Sequence, residues 1–331
     1  MNDSSENINK PRKSVWNYHP ELPLSRSPLF VWPFNIVNFL RWYRPVWLGL
    51  SEMTCYVAIA VFIWLFLLPA AAMAEMNLYS TANIYLQNLI LMLLVAGGLH
   101  LYFYTFNCQQ YRLKFDPRSL ERKHSRFTFN NQVWDNMFWT LASGVVFWTL
   151  YEVIILAQFG SGNVAILDGQ AQPIWFVLLF LLIPIFSAVH FYLVHRLLHW
   201  PPLYRIAHAL HHRNASTGPW SGISMHPIEH SIYLTSPFIH LLVPSHPIHV
   251  LFHFFFLTLG AATSHTGYEG IIIAGKNRFR LGVFYHQLHH RFFECNYGNR
   301  ECPIDQWVNS YHDGSAESDA LVRQRRKQKF S

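Results

Sequence analysis

Charged side chains are scarce in this sequence. Asp, Glu, Lys and Arg make up 13% of its 331 residues, whereas hydrophobic residues make up 51%. Soluble domains carry about 25% charged residues, so a water-soluble chain of this size could not clothe its surface with so few charges. A disordered chain needs low hydrophobicity and high charge. The composition therefore excludes both classes and favours a membrane protein.

Cysteine is also rare, and no two cysteines form a CxxC pair. The four are Cys55, Cys108, Cys295 and Cys302. We expect reduced, structural thiols, of which only Cys295 and Cys302 could bear on a site. No HExxH motif is present either, so the chain lacks the base that a metalloprotease of that class requires.

Four long apolar runs dominate the first two thirds of the chain. They contain at most one acidic residue each, and they cover Tyr56–Ala74, Ala82–Phe106, Met137–Leu156 and Pro173–Val194. Each run is long enough to cross the roughly 30 Å hydrocarbon layer as a helix. The alternative, four buried helices of a soluble protein, requires a core that a chain of this size can hardly supply. The fold class we predict is an all-α, multi-pass membrane protein with about four transmembrane helices.

The basic residues fall on one side of this predicted topology. The loops near residues 75–81 and 159–173 contain no Lys or Arg, whereas the loop 107–136 contains six. Six more precede the first run and thirteen follow the fourth. This positive-inside pattern predicts that both termini are cytoplasmic. It also explains the net charge of +7 without a nucleic-acid partner.

Two shorter apolar stretches follow, Ile232–Val243 and Ile248–Thr263, joined by a turn that contains Pro244 and Pro247. Both are short for complete spans. We predict a re-entrant hairpin here, and two short full spans are the alternative. Either arrangement returns the chain to the side on which the histidine-rich part of the sequence lies, which we expect to form a cytoplasmic helical cap.

Histidine is the residue in excess. The chain has 20, and sixteen of them lie between His190 and His290. They form one HxxxH motif, two HxxHH motifs and an HPIEH segment. On a helix, residues three and four apart share a face, so each motif can aim two or three imidazoles at one point. Imidazole is a common ligand of Fe, Zn, Cu and Ni. Eight such side chains exceed what one ion can bind, so we expect two ions.

The segments HRLLH, HALHH, HPIEH, SHTGYEG and YHQLHHRFFECNYGN resemble the fatty acid hydroxylase/sterol desaturase superfamily over roughly residues 130–313. The sterol C5-desaturase-like branch is the most similar. Members are integral-membrane non-haem di-iron oxygenases that use O2 and two electrons. The resemblance implies eight histidines that are both catalytic residues and metal ligands: His195, His199, His208, His211, His212, His286, His289 and His290. It adds His265 and, less directly, His226 to the metal ligands.

The resemblance also divides the chain. Residues 1–48 form a cytoplasmic tail with an interfacial segment, and residues 49–129 form the first transmembrane pair with its basic loop. Residues 130–313 form the catalytic domain, and residues 314–331 form a basic tail. One departure from the family is the absence of an acidic residue in 185–190, before the first box. Glu229 is either a carboxylate that orients a ligand histidine or a plain surface residue, and His230 is at best a neighbour of the ligands.

The implied function is a membrane-bound di-iron oxygenase that hydroxylates or desaturates a lipid, such as a sterol, a fatty acid or a related long-chain substrate. Its site would face the cytoplasm from the bacterial inner membrane or the ER membrane. A separate electron-donor protein is expected, because no haem, flavin or iron–sulfur motif is fused to the chain. Recombinant protein could carry zinc in place of the two iron ions. The alternative is a histidine-rich membrane protein that binds or transports metal without oxygenase activity.

Overall fold

The computed structural model describes residues 16–48, 50–68, 73, 75–299 and 301–329. Helices dominate this part of the chain, and one two-stranded antiparallel hairpin interrupts them. The helices are α1 Ile36–Trp47, α2 Glu52–Phe66, α3 Leu78–Thr105, α4 Gln132–Gly160, α5 Pro173–Leu198, α6 Pro227–Tyr233, α7 Pro247–Ser264, α8 Phe284–Phe292, α9 Ile304–Trp307 and α10 Ala316–Lys329. The strands are β1 Gly270–Ile273 and β2 Lys276–Arg280. The predicted helical class is confirmed, and the β-hairpin is an addition to it.

Four helices of the described chain are long and apolar enough to cross a membrane, namely α3, α4, α5 and α7. The first three contain the predicted runs 82–106, 137–156 and 173–194 almost completely. The predicted run Tyr56–Ala74 begins in α2, which ends at Phe66, and residues 69–72 and 74 lie outside the described residues. Helices α1 and α2 pass the same test only as a bent pair. The predicted number of about four spans is therefore confirmed, with α7 among the four, and the bent pair that includes α2 would make a fifth.

The hairpin between residues 232 and 263 is deeper than a re-entrant loop. Its first arm is a short 3-10 helix, Ser236–Leu241, and its second arm is the continuous helix α7. At its tip, the amide of Leu167 donates to the carbonyl of Ser245 at 2.9 Å. The indole of Trp175 donates to the carbonyl of Pro244, also at 2.9 Å. The tip thus reaches the loop between α4 and α5, and the 18 residues of α7 cover about 27 Å on the way back. Only the second arm is long and apolar enough to cross a membrane, so the hairpin joins a short 3-10 arm to one candidate span.

The opposite end of the bundle holds the histidines. The loop after α3 packs there, because the amide of Phe115 donates to the carbonyl of Gly267 at 2.9 Å. Tyr104, at the end of α3, donates to the carbonyl of Thr266 at 2.7 Å. The basic loop 107–131 and the histidine boxes therefore share one end of the molecule, whereas the loop 161–172 lies at the other.

Helix α7 is the centre of the bundle. In its most apolar window 83% of the residues are buried, against 22% in α3 and 39% in α5. It runs antiparallel to α2: Tyr56 hydrogen-bonds Thr263 at 3.1 Å, and Trp64 lies edge-on to His246. Neighbouring helices thus shield α7 from lipid, and its end at Ser264 is held in one place.

The backbone at Gly222 packs directly on the end of α7. A Cβ atom at this position would lie 2.2 Å from the carbonyl oxygen of Ala261, so only glycine allows the approach. The contact fixes the turn 219–225 against the helix that carries the chain into the histidine site.

The two ends of the bundle should be accessible from opposite sides of the membrane. In a protein whose exposed Cys108 is replaced by Ser, we expect Ser161→Cys and Ser119→Cys to react with an impermeant maleimide from opposite faces of sealed vesicles. Both side chains are exposed, in the loop 161–172 and in the basic loop. Labelling of both from the same face would contradict the topology.

Candidate metal centre

Nine of the ten predicted metal-binding histidines converge on one place. They form two clusters, and the candidate ligand atoms within each lie within 4.8 Å of one another. Cluster A contains His195, His199, His208, His212 and His289, and cluster B contains His211, His265, His286 and His290. Across the boundary, the rings of His212 and His290 are 5.1 Å apart. His226 lies outside both clusters, where its Nδ1 accepts from the amide of Ile228 at the start of α6.

The HxxHH boxes divide between the clusters. In the first box His208 and His212 belong to cluster A and His211 to cluster B; in the second, His286 and His290 belong to B and His289 to A. We expected each box to aim at a single point. Helical geometry explains the difference, since residues four apart share a face while adjacent residues diverge by about 100°. Each box therefore supplies a pair to one cluster and a single imidazole to the other.

Five elements bring these side chains together. His195 lies in the last turn of α5, His199 follows that helix directly, and His265 follows α7 directly. His208 closes a π-helical turn, Tyr204–His208, in which the amide of Ala209 donates to the carbonyl of Tyr204 at 2.7 Å. Single π turns often occur at functional sites. A 3-10 turn beginning at His211 and helix α8 supply the remaining ligands.

Nδ1 of four imidazoles is held by an oxygen acceptor. The four contacts are His195 to the carbonyl of Tyr297 at 2.6 Å, His208 to the carboxylate of Glu229 at 2.7 Å, His265 to the carbonyl of Ala261 at 2.8 Å, and His289 to the carbonyl of Cys295 at 2.6 Å. An Nδ1–H that donates in this way leaves the lone pair on Nε2, which then faces the cluster. Such outer contacts orient metal-binding histidines and raise their basicity. Glu229 is therefore placed to orient His208, which is one of the two roles considered for it.

The Nε2 atoms are spaced as ligands of a common ion. Those of His199, His212 and His289 form a triangle with sides of 3.1 to 3.2 Å. Nitrogen atoms about 2.1 Å from one ion would be separated by about 3.0 Å at right angles and about 3.4 Å in a tetrahedron. In cluster B, Nε2 of His265 lies 3.1 Å from that of both His286 and His290.

Burial keeps these imidazoles neutral, which is the form that binds metal. It lowers the pKa of His265 to about 4 and that of His289 to about 3, and it lowers the pKa of His212 well below its usual value, helped by the neighbouring rings. Within the described chain, several buried ring nitrogens have no hydrogen-bond partner: Nε2 of His195 and His208 and Nδ1 of His211, His212 and His290. Unpartnered buried acceptors are costly. The donor set therefore fits metal ions.

Asp305 organises the loop after α8, and the sequence offered no signal for it. Its buried carboxylate accepts from the amides of Tyr297 at 3.0 Å and Gly298 at 2.7 Å, and from the hydroxyl of Tyr285 at 2.7 Å. The same loop presents the carbonyl groups that hold His195 and His289. Asp305 thus acts on the cluster through the backbone.

An apolar cavity of about 170 Å³ adjoins both clusters. Its walls include His195 and His208 from cluster A and His265 and His286 from cluster B. Apolar residues of α5 and α7, among them Phe191 and Leu257, complete much of the lining. A hydrocarbon group in this cavity would lie directly against the imidazoles.

A second, basic opening lies on another side of cluster A. A groove of about 870 Å³ is lined by His199, Tyr297, Arg196, Arg205 and Arg325, among others. The guanidinium of Arg196 stacks 4.3 Å above the ring of Tyr297. Tyr297 thus lines this groove rather than the apolar cavity.

Other histidines have partners of their own. His230 contacts the hydroxyl of Ser143 and the carbonyl of Ile223, at 2.9 and 3.0 Å. His253 contacts Ser187 at 2.8 Å, deep in the bundle. These side chains belong to neither cluster. The four cysteines are free thiols, and the buried Cys295 contributes its carbonyl group rather than its sulfur to the site.

Comparison with known proteins agrees with this geometry. Residues 180–310 match the family model for fatty acid hydroxylase. The match lies inside the predicted region 130–313 and includes both HxxHH boxes, so the resemblance to this superfamily is confirmed. No solved structure matches the chain.

Curated relatives are sterol desaturases. A Delta(7)-sterol 5(6)-desaturase of Gibberella zeae is 28% identical over 44% of this chain and 46% of its own length. That of Saccharomyces cerevisiae is 32% identical over 36% of this chain and 32% of its own length. That of Aspergillus fumigatus is 27% identical over 76% of this chain and 71% of its own length. The chain thus spans less than half of the length of the first two relatives and more than two thirds of the length of the third. The names of all three agree with the predicted similarity to the sterol desaturase-like branch.

Replacing Glu229 by Ala should weaken metal binding by about 10- to 100-fold, because His208 loses the acceptor that orients it. Metal retained after dialysis against a graded chelator series, measured by mass spectrometry, gives the affinity. Glu317, an exposed carboxylate on α10, supplies the control variant Glu317→Ala. Equal metal retention in both variants would show that Glu229 does not contribute to metal binding.

Proposed function

We propose that this multi-pass membrane protein is a non-haem di-iron oxygenase that hydroxylates or desaturates a lipid with O2 and two externally supplied electrons. The observation that carries the proposal is the wall of buried imidazoles, in two adjacent clusters, along an apolar cavity. A metal transporter would need a polar path for its ion, so the apolar cavity favours the oxygenase over that alternative.

Iron held by the two clusters would supply the activation of O2 that side chains alone cannot provide. Cluster A offers five imidazoles and cluster B four, so each could fill most positions of one ion. The chain's own contribution is to hold these ligands neutral, to fix their Nε2 atoms toward the centre and to keep water from the apolar cavity.

The stoichiometry constrains what must enter the site. Desaturation takes two hydrogen atoms from adjacent carbons and, with O2, two electrons and two protons, releases two water molecules. Hydroxylation uses the same inputs, inserts one oxygen atom into a C–H bond and releases one water molecule. The relatives named as desaturases favour the first reaction for this chain.

Lipid and electrons would arrive from different directions. The apolar cavity lies between α5 and α7, both long enough to cross the membrane, so a lipid can reach it from the bilayer. The groove beside His199 carries Arg196, Arg205 and Arg325, which suit an acidic electron-donor protein. Positive charge at this end favours the cytoplasmic side, in a bacterial inner membrane or the ER membrane.

Metal analysis of the purified protein should give about two ions per chain, one for each cluster. Iron is expected in protein from cells grown with iron, while zinc can replace it in recombinant preparations. His211→Ala and His199→Ala, one from each cluster, should each lower the content toward one. A wild-type content of one or none, in protein that is still active, would refute the two-ion assignment.

His289→Ala should lower product formation by about 100-fold or more, because it removes a ligand from cluster A. The protein should remain in the membrane, since its helices carry the stability. His124→Ala, in an exposed part of the basic loop, is the control and should retain activity. Lipid extracts of deletion cells complemented with each variant, compared by mass spectrometry with and without O2, provide the measurement. Product that forms without O2, or that His289→Ala still forms fully, would overturn the proposal.

A further inference from the structure

The apolar cavity has a second polar wall that the metal site does not explain. Apart from the imidazoles and their partner Glu229, its charged lining consists of Glu52 and Glu301, and the amide of Asn299 lies beside them. Within the part of the chain that the structure describes, no Lys or Arg lines the cavity. This wall therefore presents mainly oxygen acceptors to whatever occupies the cavity.

Glu52 is placed there by the packing of α2. It is the first residue of that helix, after Ser51, whose hydroxyl accepts from the amide of Thr54 at 3.3 Å. The hydrogen bond between Tyr56 and Thr263 ties the same end of α2 to the last turn of α7, two residues before His265. Glu52 and His265 of cluster B are thus attached to the same pair of packed helices.

The carboxyl group of Glu52 is incompletely satisfied. Its Oε1 is enclosed, and among the described residues it has no hydrogen-bond partner. The amide oxygen of Asn299, in the same cavity, is also enclosed and without a partner. A buried acceptor that loses its hydrogen bond to water costs stability unless a donor replaces it. Two such acceptors facing one apolar cavity point to a ligand that brings a donor.

An anionic lipid would bind at basic residues outside this inner cavity. A larger cavity of about 610 Å³ adjoins the first, and both are lined by Glu52, Met53, Val283 and Glu301. The outer cavity also contains Arg26, Arg41 and Arg280. A carboxylate would meet these guanidinium groups first, whereas the wall formed by Glu52, Asn299 and Glu301 offers it mainly oxygen acceptors. A hydroxyl group can pass inward and donate to Glu52.

We propose that Glu52 is a specificity-determining residue that accepts a hydrogen bond from a hydroxyl group of the lipid substrate. This inference rests on the proposed function, because it takes the bound lipid to be the substrate, but the binding itself does not require turnover. It predicts that the hydroxyl group and the reacting carbon occupy the same small cavity, so the two are close together in the molecule. A long-chain acid attacked far from its carboxylate would not meet this requirement.

Equilibrium binding to the full-length protein in detergent tests the inference without turnover. The probes are a radiolabelled Delta(7)-sterol with a free hydroxyl group and the same sterol as its methyl ether, which cannot donate. Wild-type protein should bind the alcohol about 5- to 100-fold more tightly than the ether, because the ether leaves a buried acceptor without a donor. Glu52→Leu should abolish this difference by weakening only the alcohol, and Glu52→Gln should retain part of it.

Glu75→Leu, at an exposed carboxylate outside both cavities, is the matched control and should bind like wild type. Size-exclusion profiles and melting temperatures identify any variant that fails to fold, in which case Glu52→Gln decides alone. An unchanged alcohol-to-ether ratio in a folded Glu52 variant would overturn the role of Glu52. So would tighter binding of a long-chain fatty acid that Arg280→Gln abolishes. If wild-type protein shows the binding preference but never oxidises a lipid, the proposed function fails while the role of Glu52 in binding stands.

Discussion

The packing of nine imidazoles, eight of them buried, at the end of a helical bundle is the constraint on which the rest of this structure depends. Each ring has two nitrogens, and both need a partner once water is removed. Carbonyl groups of Ala261, Cys295 and Tyr297 and the carboxylate of Glu229 satisfy one nitrogen on four of the rings. One nitrogen of each ring lies in one of two groups whose members are within 4.8 Å of one another, an arrangement that suits two cations. The surrounding loops are shaped by this requirement as much as by the helices that support them.

The positions of the histidine boxes on the helices determine the two openings of the site, the apolar cavity and the basic groove. Cluster A includes the half-buried His199 and borders the basic groove, whereas the inner faces of both clusters border the apolar cavity. A reaction that combines a lipid, a gas and electrons needs such separation, because an apolar substrate and a charged protein cannot share one entrance. Helix α7 maintains it, since its burial keeps the cavity wall fixed between the bilayer and the metal site.

The sequence predicted the features that have a period or a repeated motif. Apolar runs identified α3, α4 and α5. The boxes supplied eight of the nine converging histidines, and the family resemblance added His265. The division of each box between two clusters was accessible in principle, because it follows from the helical angle between His211 and His212. The depth of the hairpin depends on contacts of Ser245 with a loop 78 residues earlier, at Leu167, and no local pattern encodes them. The roles of Asp305 and Glu52 could not be predicted for the same reason. A single carboxylate forms no sequence pattern, and its role depends on residues that only the fold brings near it.

The loop held by Asp305 has a consequence for the order in which the site matures. All nine imidazoles precede residue 291, yet the carbonyl groups that orient two of them come from Cys295 and Tyr297, and the carboxylate that fixes this loop comes later still. During synthesis all nine histidines therefore leave the ribosome before the loop and Asp305 that orient His195 and His289. A metal ion that arrived early would meet His195 and His289 before their orienting carbonyl groups were in place. The last box is thus complete as a sequence well before it is complete as a binding site.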